Sequence, residues 1–122
     1  MSYLAILLLG AGFYFVMPFS KKGQAMVIDS ATSADGSSFI LNQKYEGGFE
    51  YNVSFYVKSR SKTWREYYID HDSSYWHSGR VVVDDSKGKA SIWRGKTLIA
   101  VYNWKNEVFY DVSKPRIFSP LT

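Results

Sequence analysis

The segment from Tyr3 to Phe19 carries no charged residue and almost no polar atom, and it ends at Ser20-Lys21-Lys22-Gly23. As a helix at ~1.5 Å per residue it would reach roughly 25 Å, enough to cross a ~30 Å hydrocarbon core if the lysines snorkel or the bilayer thins. Gly10, Gly12 and Pro18 argue against a buried core helix. A cleaved secretory leader is opposed by the lysines, which follow the apolar run instead of preceding it, although Gly23-Gln24-Ala25 has the small-x-small form of a cleavage site. A lipid anchor lacks its acceptors, because Gly does not follow Met1 and the chain has no Cys. The expectation is a single transmembrane anchor over residues 1–22, flanked by Lys21 and Lys22.

With no Lys or Arg before the span, the positive-inside rule places the rest of the chain on the cytoplasmic side. The absence of cysteine agrees with a reducing compartment. All fifteen basic and eleven acidic residues follow the span, so the net charge of +4 belongs to the remaining ~100 residues, a length that suits one domain. A basic balance beside a bilayer favours anionic lipid head groups or acidic protein surfaces, and is too small to argue for nucleic acid. The sequon Asn52-Val53-Ser54 falls inside a predicted strand, a poor place for a glycan.

Beyond the span the period is two. The clearest strand runs from Phe49 to Lys58, where Phe49, Tyr51, Val53, Phe55 and Val57 form an apolar face and Glu50, Asn52, Ser54 and Lys58 point the other way. Ala25 to Ile28 reads as a first strand, Ser30 to Ser38 as a loop or linker, Phe39 to Leu41 as the start of another strand, and Thr63 to Ile69 as a further one. Asp70-His71-Asp72 is expected to interrupt the pattern. From Arg80 a meander of short strands follows, over 80–84, 89–93, 97–102 and 107–112, with connections of hairpin length. Pro115 and Pro120 forbid a further central strand in the tail. Seven or eight strands with no helix to cover them must bury one another, which predicts an all-β fold, an antiparallel sandwich or jelly roll with a small barrel as the alternative, over residues 39–122, with 23–38 as linker and possible first strand.

No catalytic signature emerges. Asp70, His71 and Asp72, with His77 nearby, are the only residues resembling a metal or acid–base cluster, and a solvated loop explains them better because a third convergent ligand is missing. Gly88-Lys89-Ala90-Ser91 is refused as a phosphate loop: Val83 stands where the first glycine is required and Ala90 where Ser or Thr is. No metal, cofactor or enzymatic activity is assigned. The run Lys58, Arg60, Lys62, Trp64 and Arg65, with Trp104 at the tip of a hairpin, is the candidate docking surface, since Trp, Tyr and Arg dominate binding hot spots. The competing reading of the basic run is a guard that keeps an edge strand from pairing with another sheet.

The stretch Gly47-Gly48-Phe49-Glu50-Tyr51-Asn52-Val53-Ser54-Phe55-Tyr56-Val57-Lys58 resembles a strand of jelly-roll carbohydrate-binding modules and of laminin-G or concanavalin-like sandwiches. The likeness covers about a tenth of the chain; it implies a sandwich, and with four tryptophans and ten tyrosines it keeps sugar stacking in view. In layout, a short span followed by a Cys-free aromatic β domain is similar to small membrane-anchored minor capsid proteins of large, membrane-containing DNA viruses. That likeness implies a virion protein lying between an inner membrane and a protein shell. The expected function is a non-enzymatic, membrane-anchored structural or interaction subunit of a large assembly, in contact with the bilayer and with other protein subunits. The alternative is a membrane-tethered carbohydrate-binding module.

Overall fold

The computed structural model describes residues 25–48, 50–59, 63–72 and 76–121. The apolar segment with Lys21 and Lys22, the basic residues Arg60 and Lys62, and Phe49 lie outside the described residues. No helix long and apolar enough to cross a membrane occurs among the described residues.

Among the described residues nine strands form two antiparallel sheets, and there is no helix. The first sheet contains β1 (Ala25–Thr32), β2 (Ser38–Gly47), β3 (Glu50–Lys58) and β4 (Trp64–Asp72); the second contains β5 (Gly79–Asp84), β6 (Lys89–Arg94), β7 (Thr97–Asn103), β8 (Val108–Asp111) and β9 (Arg116–Phe118). In both sheets the spatial order is the sequence order. The sandwich expectation holds, but the jelly-roll form of it does not: that form needs Greek-key returns, and every hydrogen-bonded neighbour here is joined by the next connection along the chain.

Alternation explains which side of each strand is buried. Phe39, Leu41 and Gln43 of β2, Val53, Phe55 and Val57 of β3, and Tyr67 and Ile69 of β4 turn inward against Ala90, Ile92, Ala100, Tyr102, Phe109 and Phe118 of the second sheet. The centre is aromatic. Phe55 and Phe109 have ring centroids 4.9 Å apart, Tyr67 meets Phe109 edge-on at 5.0 Å, and Phe109 stacks on Phe118 at 4.6 Å.

The sheets join along both long sides. On one side β1 lies beside β5, where the Asp29 carboxylate accepts the Val81 amide at 2.7 Å and the Asp85 carboxylate accepts the Ala34 amide at 2.7 Å. Gly79 permits this approach: a Cβ there would stand 2.9 Å from Ile28 Cγ2 and 3.1 Å from Leu41 Cδ2. On the other side the Leu121 amide donates to the Glu66 carbonyl at 2.7 Å, so the tail covers the edge of β4. Edges closed in this way offer few unpaired groups to other chains.

Several expectations change. The Ser-rich stretch is shorter than a linker: β1 continues to Thr32, and 33–37 form a tight turn in which the Ser33 hydroxyl donates to Asp35 and accepts the Ser37 amide at 3.0 Å. Asp70-His71-Asp72 does not interrupt β4 but belongs to it, because a register shift opposite Val53 and Ser54 absorbs the irregularity and returns His71 to Asn52. Trp76, for which the strand pattern makes no prediction, is buried; its amide donates to Gln43 Oε1 at 3.3 Å, and the Arg94 guanidinium lies 4.8 Å from its ring centroid. The tail adds β9, which sits between the two prolines and is an edge strand, as they require.

Candidate functional site

The outer face of β3 and β4 carries two of the four described docking residues that the sequence singles out, Lys58 and Trp64. Because Val53, Phe55 and Val57 point inward, Asn52, Ser54, Tyr56 and Lys58 point outward; likewise Tyr67 and Ile69 leave Trp64, Glu66 and Tyr68 on the outside. Register then sets the pairs. Lys58 lies opposite Trp64 with its ammonium 5.7 Å from the ring centroid, and Tyr56 lies opposite Glu66 with its hydroxyl donating to the carboxylate at 3.2 Å. Trp64 and Tyr68 remain 41% and 39% exposed, roughly 13 Å apart along the strand at ~3.3 Å per residue.

Arg65 is separated from this group by the same alternation. Its guanidinium reaches across the end of the sandwich to Glu107 at 2.8 Å, in the turn between β7 and β8. Trp104 occupies that turn as expected, yet its indole is not free: it packs on Phe39, with ring centroids 5.6 Å apart. The sequence-selected surface therefore divides in two. Lys58 and Trp64 share the outer face, whereas Arg65 and Trp104 fasten the β7–β8 turn to the first sheet.

A polar cluster missed by sequence reasoning continues the outer face. His71 Nδ1 lies 2.7 Å from Asn52 Oδ1 and its Nε2 lies 2.7 Å from Glu50 Oε1, while Asn52 Nδ2 donates to Glu46 at 3.0 Å. Partial burial, with Asp70 and Glu46 nearby, raises the Tyr68 phenol above its ordinary range. Burial first, and then the Glu66 carboxylate, raises Tyr56 to about 12. Both phenols are thus hydrogen-bond donors at any physiological pH. Among the described residues no group of three His, Cys, Asp or Glu is placed to hold a metal ion.

No family model matches the chain, and neither does any curated protein or solved structure. The functional reading therefore rests on the surface itself.

The second sheet carries a different outer face. Val82, Ser91, Val101, Tyr110 and Ile117 are successive cross-strand partners, forming one row across all five strands. Ile117 is 64% exposed and Tyr110 41%. Beside this row Trp93 lies under the Arg80 guanidinium, 5.2 Å from its ring centroid. No single strand reveals the row, because each contributes one residue and only the register assembles them.

Proposed function

We propose that the chain is a non-enzymatic, membrane-tethered interaction subunit of a larger assembly, whose β head presents the outer face of β3 and β4 to a neighbouring protein. The observation that carries this reading is the exposed pair Trp64 and Tyr68 on one face of β4, with Lys58 over the Trp64 ring. Flat, half-exposed aromatic rings beside a cation have the composition of a binding hot spot, since they bring large contact area at low entropic cost. The apolar segment 3–19 supplies the tether and Lys21 and Lys22 its cytoplasmic flank. A minor capsid protein linking an inner membrane to a protein shell is one assembly of this form.

The test is native electrophoresis of gently solubilised source membranes, with protease protection of a C-terminal epitope in sealed cells. The expected result is a protected epitope and a large complex that loses this subunit on Trp64→Ala with Tyr68→Ala. A wild-type chain that migrates alone, or an epitope cleaved in intact cells, would sink the proposal.

A second reading has one observation in its favour. Trp64 and Tyr68 flank Glu66 on an open surface, and the Tyr68 hydroxyl donates to Asn52 Oδ1 at 3.4 Å, an arrangement that also suits stacking of sugar rings and bonding of their hydroxyls. Retention on an immobilised polysaccharide, lost with Trp64→Ala, would favour it over a protein partner.

A further inference from the structure

We infer that the outer face of the second sheet lies on the membrane surface and recognises anionic lipid head groups. This rests on the membrane-tethered reading above and identifies which face of the head meets the bilayer.

Three observations converge on that face. The first is the registered row Val82, Ser91, Val101, Tyr110 and Ile117, roughly 19 Å across at ~4.8 Å between strands. Apolar side chains and a tyrosine on an open sheet suit the boundary between head groups and acyl chains, where an amphipathic ring sits with its hydroxyl in water.

The second is charge. Residues 76–121 contain eight Lys or Arg against four Asp or Glu, a balance of +4, whereas residues 25–72 contain five against seven, a balance of −2. The two layers of the sandwich are therefore electrostatically unlike. Exposed Arg80, Lys96 and Lys114 gather at one end of the second sheet, beside Arg116 in its pair with Asp111, because the β6–β7 and β8–β9 turns fall there together with the start of β5. Exposed Glu50 and the partly exposed Glu46 and Asp70 occupy the first sheet at the same end. Such an arrangement attracts an anionic surface to one layer and repels it from the other.

The third is where the chain enters. Asp29 bonds Val81 and Ala34 bonds Asp85, so β1 and β5 run side by side in the same direction, and Ala25 emerges at the end that carries Arg80, Lys96 and Lys114. The apolar segment and its Lys21-Lys22 flank join the head there. A tether at that end brings the basic turns to the head-group layer first. A second copy docked face to face would instead press two +4 layers together, which disfavours it.

The natural absence of cysteine makes the test direct. Ile117→Cys, on the apolar row, and Ser30→Cys, an exposed position on the outer face of the first sheet, are each labelled with an environment-sensitive fluorophore on the full chain. The labelled chains are reconstituted in vesicles of phosphatidylglycerol with phosphatidylcholine, or of phosphatidylcholine alone, and quenched with nitroxide-bearing lipids. Circular dichroism on each variant checks that the fold is kept. The expected result is quenching at position 117 at least about threefold stronger than at position 30, diminished by salt and in uncharged vesicles. Equal quenching at the two positions overturns the inference, as does quenching at 117 that ignores lipid charge. A blue-shifted but unquenched label at 117 that responds to dilution also overturns it and assigns the face to a second copy. A chain that fails to float with the vesicles overturns the tether itself, whereas flotation without quenching at 117 overturns only the docking.

Discussion

Trp104 packs its indole on Phe39, with ring centroids 5.6 Å apart and ring planes inclined by 31°. The contact joins the β7–β8 turn of one sheet to the first core residue of β2 in the other. A hairpin-tip tryptophan is thereby a structural clamp, whereas Trp64, on the open face of β4, stays 41% exposed.

Removing the two rings should have unequal consequences. Trp104→Ala is expected to cost about 2–3 kcal/mol, because the partly buried ring leaves a gap beside Phe39. Trp64→Ala should stay within about 0.5 kcal/mol, as for most exposed positions. Urea denaturation of both variants reads the difference. Matching midpoints would mean that the Phe39 contact contributes nothing.

Asp111 is nearly fully buried, and its Oδ1 accepts the Ser113 amide at 3.0 Å, the Ser113 hydroxyl at 2.7 Å and the Lys114 amide at 3.1 Å, while Oδ2 accepts Arg116 Nε at 3.0 Å. Burial pushes its pKa up, but the bonds from Ser113, Arg116 and Lys114 outweigh it and hold the carboxyl below the usual range. A depressed folded pKa adds stability that is present above the unfolded value of about 3.9 and is lost as pH falls through the folded one. Asp111→Asn should therefore cost about 1–3 kcal/mol near neutral pH, towards the lower figure because Arg116 is half-exposed and screened. The gap should close below about pH 4. A difference from wild type that persists unchanged into acid would show that the carboxylate charge is not its source.

Much of this fold is legible in the sequence, and the exceptions share a physical cause. The strand of β3 is plain because one of its faces is buried and the other wet, and the hairpins of the second sheet are plain because their turns are short and polar. Asp70-His71-Asp72 reads as a break because its residue types suit loops, yet β3 supplies Glu50 and Asn52 as partners for His71, and a local register shift restores pairing. Trp76 and Trp104 look alike in sequence to Trp64, since what separates them is contact with strands remote along the chain. The apolar row from Val82 to Ile117 is hidden for the same reason: alternation in short β-branched strands does not say whether the second face meets water or another layer.

At the β1–β5 corner, Asp29 substitutes a side-chain acceptor for the backbone carbonyl that a continuous sheet would offer Val81. Asp29→Ala leaves that amide without its partner and should destabilise the fold by about 1–3 kcal/mol. Amide hydrogen exchange gives the sharper readout. Val81 should lose protection while Phe55 and Tyr102, in the middle of their sheets, keep theirs relative to global opening. Unchanged exchange at Val81 would mean that Asp29 does not protect this amide.

Tyr56 offers a probe within the candidate face itself. Its hydroxyl donates to Glu66 at 3.2 Å, and its pKa is raised to about 12, by burial first and then by the charge and hydrogen bond of Glu66. Because the folded value lies above the unfolded value of about 10, this tyrosine adds stability that is fully present below that pH and lost as pH rises towards about 12. Tyr56→Phe should flatten that part of the alkaline unfolding curve, and the phenolate absorbance it removes isolates this residue from the other tyrosines. Glu66→Gln should lower the pKa only partway, because burial is the larger cause and remains. A return to about 10 would instead mean that Glu66 alone holds the proton, leaving the Tyr56 ring more open to solvent, and to a partner, than its partial burial implies.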